Sequence, residues 1–415
     1  LDCKPHLTRF PRCPPRPVLS LSKEQMSRIP TAPALPEPTP EERALSQRLA
    51  ELIRAEIARA GGAIAFARFM ELALYAPQLG YYSAGKHKFG AAGDFVTAPE
   101  LGPVFAQCLA RQCAQILGAV PQGDILEAGA GSGALAVQLL LELERLGQLP
   151  AHYFILEISG TLRARQQALF TDQAAHLLAR VRWLDSLPSA GFRGIVLGNE
   201  LLDAMPVERF RVGADGIAQL LVGWEENRFV WRGAPANDAL RERVTALGLP
   251  EGYISEIGFA AEGWVRSVAD ILEQGVLLLV DYGFPGHEFY HPQRATGTLM
   301  CHYRHRAHDD PLMFVGLQDI TAHVDFKAIA RAGTESGLSL LGYTSQALFL
   351  LGCGLDDIAT RINQSDARAH LQFTNEVKKL TLPHEMGELF KVIAFGRGVD
   401  TALAGFRLQD RRGRL

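Results

Sequence analysis

From residue 39 onward the chain alternates between helically spaced apolar positions and short apolar runs. Thr39-Pro40-Glu41-Glu42 marks a helix start, with Thr39 as cap, Pro40 in the first turn and two acids beside the positive dipole end. The helical pattern runs to about residue 60 and breaks at Gly61-Gly62. A second short helix is predicted over 65–74. It leads into an aromatic, glycine-rich stretch running from Gly80-Tyr81-Tyr82-Ser83 to Gly93-Asp94-Phe95. Another helix is predicted over 98–117.

A regular series follows. Strands are predicted over 124–128, 152–158, 181–184 and 194–197, with helices over 134–146 and 161–179. Crossovers of this length imply parallel strands in one sheet. Residues 207–231 break the rhythm with strand-like pieces around Gly213-Ala214-Asp215-Gly216, a hairpin signal, and read as an insertion. Val276-Leu277-Leu278-Leu279-Val280 is the clearest buried strand. A long loop region is expected over 283–315, a helix over 325–336, a strand over 338–343, helices to about residue 380 and a last strand over 390–395. The expected fold is α/β: a Rossmann-like, mostly parallel sheet with an N-terminal helical extension and an inserted β/α region. The expected divisions are a helical cap over 41–120, a ligand-binding core over 121–206 and the insertion over 207–260. The rest of the core, with substrate-side loops, spans 261–400, and a tail spans 401–415.

Residues before 40 stand apart. Prolines crowd there, among them Pro11, Pro14, Pro15, Pro17, Pro30, Pro33, Pro36 and Pro38, and the early part is basic and almost acid-free. One reading is an organelle transit peptide, although the prolines oppose the amphipathic helix such a peptide forms. The other is an upstream segment translated from a displaced start, since the first methionine is Met26. Residues 1–40 are expected to be disordered or mistranslated and to lie outside the fold. The expected compartment is the cytoplasm, or the mitochondrial matrix if the segment is a transit peptide.

Of the 415 residues 47% are hydrophobic, enough for a sizeable core. Lys+Arg 42 against Asp+Glu 45 leaves a net charge of −3, which argues against a non-specific nucleic-acid binder. The six cysteines form no C-x-x-C pair, so neither a zinc ribbon nor a thioredoxin-type motif is available. No run approaches the ~18 apolar residues of a membrane-spanning helix.

Candidate chemistry begins at Ile125-Leu126-Glu127-Ala128-Gly129-Ala130-Gly131-Ser132-Gly133, a strand that ends in a glycine turn and opens a helix. Glycines permit positive φ and close approach of the backbone to a ligand, and the helix start offers free N–H groups. Gly129, Gly131 and Ala134 also fit the dinucleotide pattern G-x-G-x-x-G/A, so the turn alone does not choose between cofactors. Glu127 would repel a pyrophosphate but attract the ammonium of a methionine moiety. The next strand brings Glu157, whose carboxylate can accept both ribose hydroxyls. Together these features resemble the S-adenosyl-L-methionine pocket of class I methyltransferases. The cofactor-binding candidates are Glu127, Gly129, Gly131, Ser132, Gly133, Glu157 and Asn199; a nicotinamide or flavin remains the alternative.

Gly198-Asn199-Glu200-Leu201-Leu202-Asp203-Ala204-Met205-Pro206 follows the fourth strand of the series, where open α/β sheets bind substrates. Glu200 and Asp203 would lie close together on one helical turn and are the catalytic candidates. The alternative is that Asn199 caps the turn and Glu200 stabilises its start. The Asn-Pro-Pro-Tyr type tetrapeptide of many DNA and protein-amide N-methyltransferases is absent here, which disfavours base and glutamine methylation. A carboxylate suits a cationic nucleophile such as the arginine guanidinium, which it can orient.

Six segments occur in one order: Gly93-Asp94-Phe95-Val96-Thr97-Ala98-Pro99-Glu100, the turn at 126–133, the Asn199-Glu200 segment, Asp281-Tyr282-Gly283, the stretch from Gly316-Leu317-Gln318-Asp319 to Asp325-Phe326, and Met386-Gly387-Glu388-Leu389-Phe390-Lys391-Val392. This set resembles the MidA family, methyltransferases related to the mitochondrial complex I assembly factor that methylates arginine. The resemblance spans residues 45–397. It implies a class I methyltransferase core and, for the mitochondrial branch, symmetric dimethylation of an arginine in a complex I subunit. That branch tends to carry paired phenylalanines and a histidine in the Asn-Glu segment; Leu201, Leu202 and Glu208 here point to a bacterial-type member. The implied activity is methyl transfer from S-adenosyl-L-methionine to an arginine of a protein. The alternatives are a small-molecule or non-arginine target, or a cofactor-binding assembly factor with little catalysis.

Asp94, Thr97 and Glu100 read as a lid over the cofactor or as a packed cap. Asp281 either faces the substrate or caps the next turn. Asp309-Asp310-Pro311 and Gln318-Asp319 could recognise a basic substrate or form turns. His287, His291, His302, His305, His308 and His323 are interrupted by Pro292, Gly297 and Pro311, and no metal is expected.

Overall fold

Seven strands form the continuous path of the main sheet, β1 (Asp124–Ala128), β2 (Tyr153–Leu156), β3 (Val181–Leu184), β4 (Phe192–Asn199), β5 (Leu272–Phe284), β6 (Ser339–Ser345) and β7 (Phe390–Arg397), and the short strand Val324–Asp325 adds to the end of β5 as an eighth. The order along the path is β6-β7-β5-β4-β1-β2-β3. All are parallel except β7, which runs antiparallel to both of its neighbours. The computed structural model describes residues 35–84, 97–362 and 366–415, and Pro38–Leu415 forms one compact unit. The expectations for residues 1–34 and for Asp94 lie outside the described residues.

The sheet is buried on both faces, which is why its central strands read as unbroken apolar runs. Successive side chains point to opposite faces. Ile125, Ile195, Leu197 and Leu278 therefore pack beneath the helices Val104–Ala119 and Ala134–Arg145. Leu126, Val196, Leu277 and Leu279 pack against Phe259–Ile271 and Phe326–Glu335 on the other face.

The strand order reverses at β1, which has β2 on one side and β4 on the other. Chains leaving such a point diverge and open a crevice at the carboxyl strand ends. Register then decides what meets there. Ala128 pairs with Gly198 and with Leu156, so Gly129, Asn199 and Glu157 emerge side by side. Val280 pairs with Asn199, which sets Asp281 beside Glu200.

Three segments differ from the sequence expectation. The helix expected over 98–117 is two, Ala98–Leu101 and Val104–Ala119. The Glu376 carboxylate, from the distant helix Ala367–Thr381, accepts the Val104 N–H at 2.7 Å and supplies the new start with a cap. The stretch 283–315 is not all loop: Met300–Tyr303 and Arg306–His308 form a hairpin, joined in a three-stranded sheet by Asp319–Thr321. Its two-residue turn holds Arg304 and His305 at φ 48° and 61°, a conformation usually signalled by glycine or asparagine. The third difference joins cap and insertion. Ala63–Ala65 pairs with Gly216–Glu225, so the two share one five-stranded sheet and a second core that includes Phe69, Val222 and Ile320. Among the described residues no helix is long and apolar enough to cross a membrane.

Candidate functional site

A cavity of about 310 Å³ lies at the carboxyl ends of β1, β2 and β4. Pockets of roughly this size and upward hold small ligands.

One end of it is the glycine turn. Gly129, Gly131 and Gly133 have φ of 73°, 53° and 88°, where an L side chain is strained. A Cβ at Gly133 would press on Gln166 at 3.1 Å. Gln166, unremarked in the sequence, is fully buried and ties the site together. Its amide donates to the Gly131 carbonyl at 3.0 Å and to Glu157 Oε2 at 3.5 Å, and its oxygen accepts the Trp183 indole N–H at 2.8 Å. Glu157 also accepts the Ser159 N–H at 2.8 Å, while burial raises its pKa. Glu127 is buried beneath the turn, where the Tyr153 hydroxyl donates to it at 2.8 Å. Burial pushes Glu127 up to about 7, with the tyrosine hydrogen bond pulling the other way. The Ser132 hydroxyl donates to the Glu100 carboxylate, and Thr97 and Glu100 stand on the cavity wall.

The other end follows β4. Glu200 has φ 51°, a left-handed backbone that costs a non-glycine residue about 1–2 kcal/mol. Its N–H donates to the Val280 carbonyl at 2.9 Å, and its Oε1 accepts from the Asn199 amide at 3.2 Å and the Ala98 N–H at 3.3 Å. The segment is a turn, not the helical turn considered for Glu200 and Asp203. Asp281 explains this: its Oδ2 accepts the N–H groups of Leu201, Leu202 and Asp203. Of the two readings of Asp281 the capping one describes its contacts. The carboxylate is spent on backbone donors and does not line the cavity. Asn199 does not cap the turn; its Oδ1 is buried without a partner. Asp203 is 6% exposed, stands on the wall and has an Oδ1 with no hydrogen-bond partner. Burial pushes Asp203 up to about 6. Burial, and then the neighbouring Asp203, push Glu200 up to about 8.

Tyr75 and Tyr82 complete this end, with rings stacked at 5.5 Å between centroids. The Tyr75 hydroxyl donates to the Ala204 carbonyl at 2.9 Å, and the Tyr82 hydroxyl donates to Asp319 at 2.9 Å. In the sequence Tyr82 is legible only as part of an aromatic stretch and Tyr75 is not singled out, because their partners lie 237 and 129 residues away. Of the segments 309–311 and 318–319, Asp319 reaches the wall; Asp310 instead accepts the Leu312 N–H at 3.0 Å in a turn. Among the described residues no cluster of His, Cys, Asp and Glu could hold a metal ion.

Six carboxylates line the cavity: Glu100, Glu127, Glu157, Glu200, Asp203 and Asp319. No Lys, Arg or His lines it among the described residues. Such a wall attracts cations and repels a pyrophosphate.

Residues 108–344 match the model of a family described as "Putative S-adenosyl-L-methionine-dependent methyltransferase". The chain is 28% identical over 364 residues to the mitochondrial protein arginine methyltransferase NDUFAF7 of Danio rerio, covering 80% of this chain and 83% of that one. It is 28% identical over 388 residues to the Drosophila melanogaster homolog, covering 85% of each. It is also similar to a crystal structure of a COG1565 superfamily member from Burkholderia thailandensis bound to S-adenosyl-homocysteine. The identity is 51% and the TM-score 0.89, covering 92% of this chain and 100% of that one.

Proposed function

Since the chain belongs to this family of S-adenosyl-L-methionine-dependent methyltransferases, with a class I-like fold, we propose that it methylates an arginine side chain of a protein. One observation carries the reading: a glycine turn and the carboxylates of Glu200, Asp203 and Asp319 share a single cavity without a basic residue among its described lining. The names of the NDUFAF7 relatives support the choice of arginine.

The residues at the turn suit the cofactor. Its ammonium and sulfonium are cations, and Glu127, Glu157 and the unpartnered Asn199 Oδ1 are acceptors. These, with Ser132 and the backbone of 129–133, would hold it. When bound it supplies an activated methyl group on sulfur. What remains for the protein is alignment and placement of charge. Glu200 orients the guanidinium and draws its positive charge away from the attacking nitrogen. Asp203 stands beside it as a second acceptor. Thr97 and Glu100, the latter fastened to Ser132, wall the cofactor end. Tyr75 and Tyr82 exclude water from the substrate end.

The test is transfer itself. Purified chain, tritium-labelled S-adenosylmethionine and cell extract are incubated, and labelled protein is hydrolysed to amino acids. Methylarginine is expected. Label confined to small molecules would replace the reading with a small-molecule methyltransferase. Cofactor binding without transfer would replace it with an assembly role.

A further inference from the structure

Building on the arginine reading, we propose that Asp319, gripped by Tyr82, joins the open Oδ1 of Asp203 in a second acceptor face that admits a planar guanidinium and rejects a lysine ammonium.

The need for such a face follows from donor counting. A guanidinium presents five N–H groups in a flat fork, whereas an ammonium presents three from one point. Glu200 Oε1 already accepts from Ala98 and Asn199, so Glu200 alone leaves much of the fork unsatisfied. A donor left without a partner in a closed cavity is unfavourable. Asp203 is more than nine-tenths buried and lines the cavity; the Tyr282 hydroxyl and the Ala204 N–H favour its charged form, and its Oδ1 keeps no hydrogen-bond partner.

Asp319 is 2% exposed and reaches the same wall from the strand Asp319–Thr321. The Tyr82 hydroxyl and the Ile320 N–H, at 2.9 and 3.0 Å, both donate to its Oδ1 and fix the plane of the carboxylate. The strand is moored to the turn it faces: the Ala322 N–H donates to the Asp203 carbonyl at 2.9 Å. Tyr75 is moored likewise to Ala204, so the stacked tyrosines bridge the two acidic elements. A flat aromatic surface beside flat acceptors favours a planar cation over a tetrahedral one.

The experiment uses the full chain, tritium-labelled S-adenosylmethionine and cell extract, counting methylarginine after acid hydrolysis. Agmatine and cadaverine serve as competing guanidino and amino probes. Wild type should form methylarginine and be inhibited by agmatine at roughly one-tenth the concentration needed for cadaverine. Asp319→Asn should lower methylarginine about tenfold and bring the two competitors within about twofold of each other, with S-adenosyl-homocysteine affinity within about twofold of wild type. A merely structural role would not erase the difference between competitors. Tyr82→Phe, which removes only the hydroxyl, should narrow the difference about threefold, and it decides alone if Asp319→Asn does not fold. Unchanged competitor selectivity in the variants overturns the inference while the methylarginine of the wild type leaves the arginine reading standing. Absence of methylarginine from the wild type overturns both.

Discussion

Asp281 holds Leu202: the Oδ2 of the one accepts the backbone N–H of the other at 2.8 Å. The same oxygen takes the N–H groups of Leu201 and Asp203 at 3.1 and 3.3 Å, and Oδ1 takes that of Tyr282 at 2.9 Å. A buried carboxylate thus replaces the helix that the segment lacks, and the left-handed Glu200 is anchored beside it. Asp281→Asn keeps the shape but sets an amide N–H₂ against this crowd of donors. Leaving buried backbone N–H groups without their acceptor should cost about 1–3 kcal/mol, read as a lower urea midpoint with an unchanged slope. A midpoint equal to wild type would mean that the turn does not depend on this cap.

The two ends of the cavity should separate under mutation. Glu157→Ala removes an acceptor from the cofactor end and should weaken S-adenosyl-homocysteine binding by about 10–100-fold, the worth of a hydrogen bond to a charged group. Glu200→Gln keeps the shape of the substrate end and should leave that affinity within about threefold while slowing turnover at least tenfold, as expected for a group that acts in the transition state. Calorimetry and label transfer on the same preparations check both. Full turnover of Glu200→Gln would remove the orienting role.

What the sequence makes legible here is local, and what it hides is remote. The strand Asp124–Ala128 stands out because an apolar run stops at glycines, and every determinant lies within ten residues. Glu157 and Glu200 are equally legible, since each follows a strand and parallel register brings the strand ends level. The break at Gly102-Pro103 is not, because the group that caps the new helix is Glu376. The Tyr82–Asp319 pair spans 237 residues and rests on a core shared by cap, insertion and the three-stranded sheet. Nor does anything near Gln166 announce a bridge from Gly131 to Glu157, since the carbonyl of Gly131 and the indole of Trp183 that hold it lie 35 and 17 residues away.

That bridge gives a coupled prediction. Gly133→Ala places a Cβ at φ 88° and 3.1 Å from the Gln166 side chain. Backbone strain of about 1–2 kcal/mol should add to a clash that pushes on the bridge, lowering both stability and S-adenosyl-homocysteine affinity. Gln166→Ala alone should also weaken binding, by freeing Glu157 and the turn. In combination the Cγ contact at 3.1 Å is gone, while the residue 166 Cβ at 3.3 Å and the backbone strain remain, so the double variant should be more stable than the sum of the single losses by about 0.5 kcal/mol. Strict additivity in urea unfolding would show that the two residues do not press on each other.

The acidity of Glu200 supplies the last test. Burial, followed by the charge of Asp203, moves its carboxyl from an ordinary 4.5 up to about 8. The folded chain therefore keeps a proton that the unfolded chain gives up as pH rises through 4.5. Stability from this group is complete below that pH, declines as pH rises and levels off above about 8. Glutamine has no proton to lose. The stability of Glu200→Gln relative to wild type should therefore increase from pH 4.5 to 8 and then stay constant, measured by urea unfolding without ligand. The same proton opposes a cationic substrate, because the carboxylate that holds a guanidinium must be ionised. KM for an arginine substrate should fall with rising pH to about 8 in wild type and lose that part of its pH dependence in Glu200→Gln. A stability gap that does not change with pH would show that Glu200 is ionised throughout, and that its neighbours stabilise the charge that burial opposes.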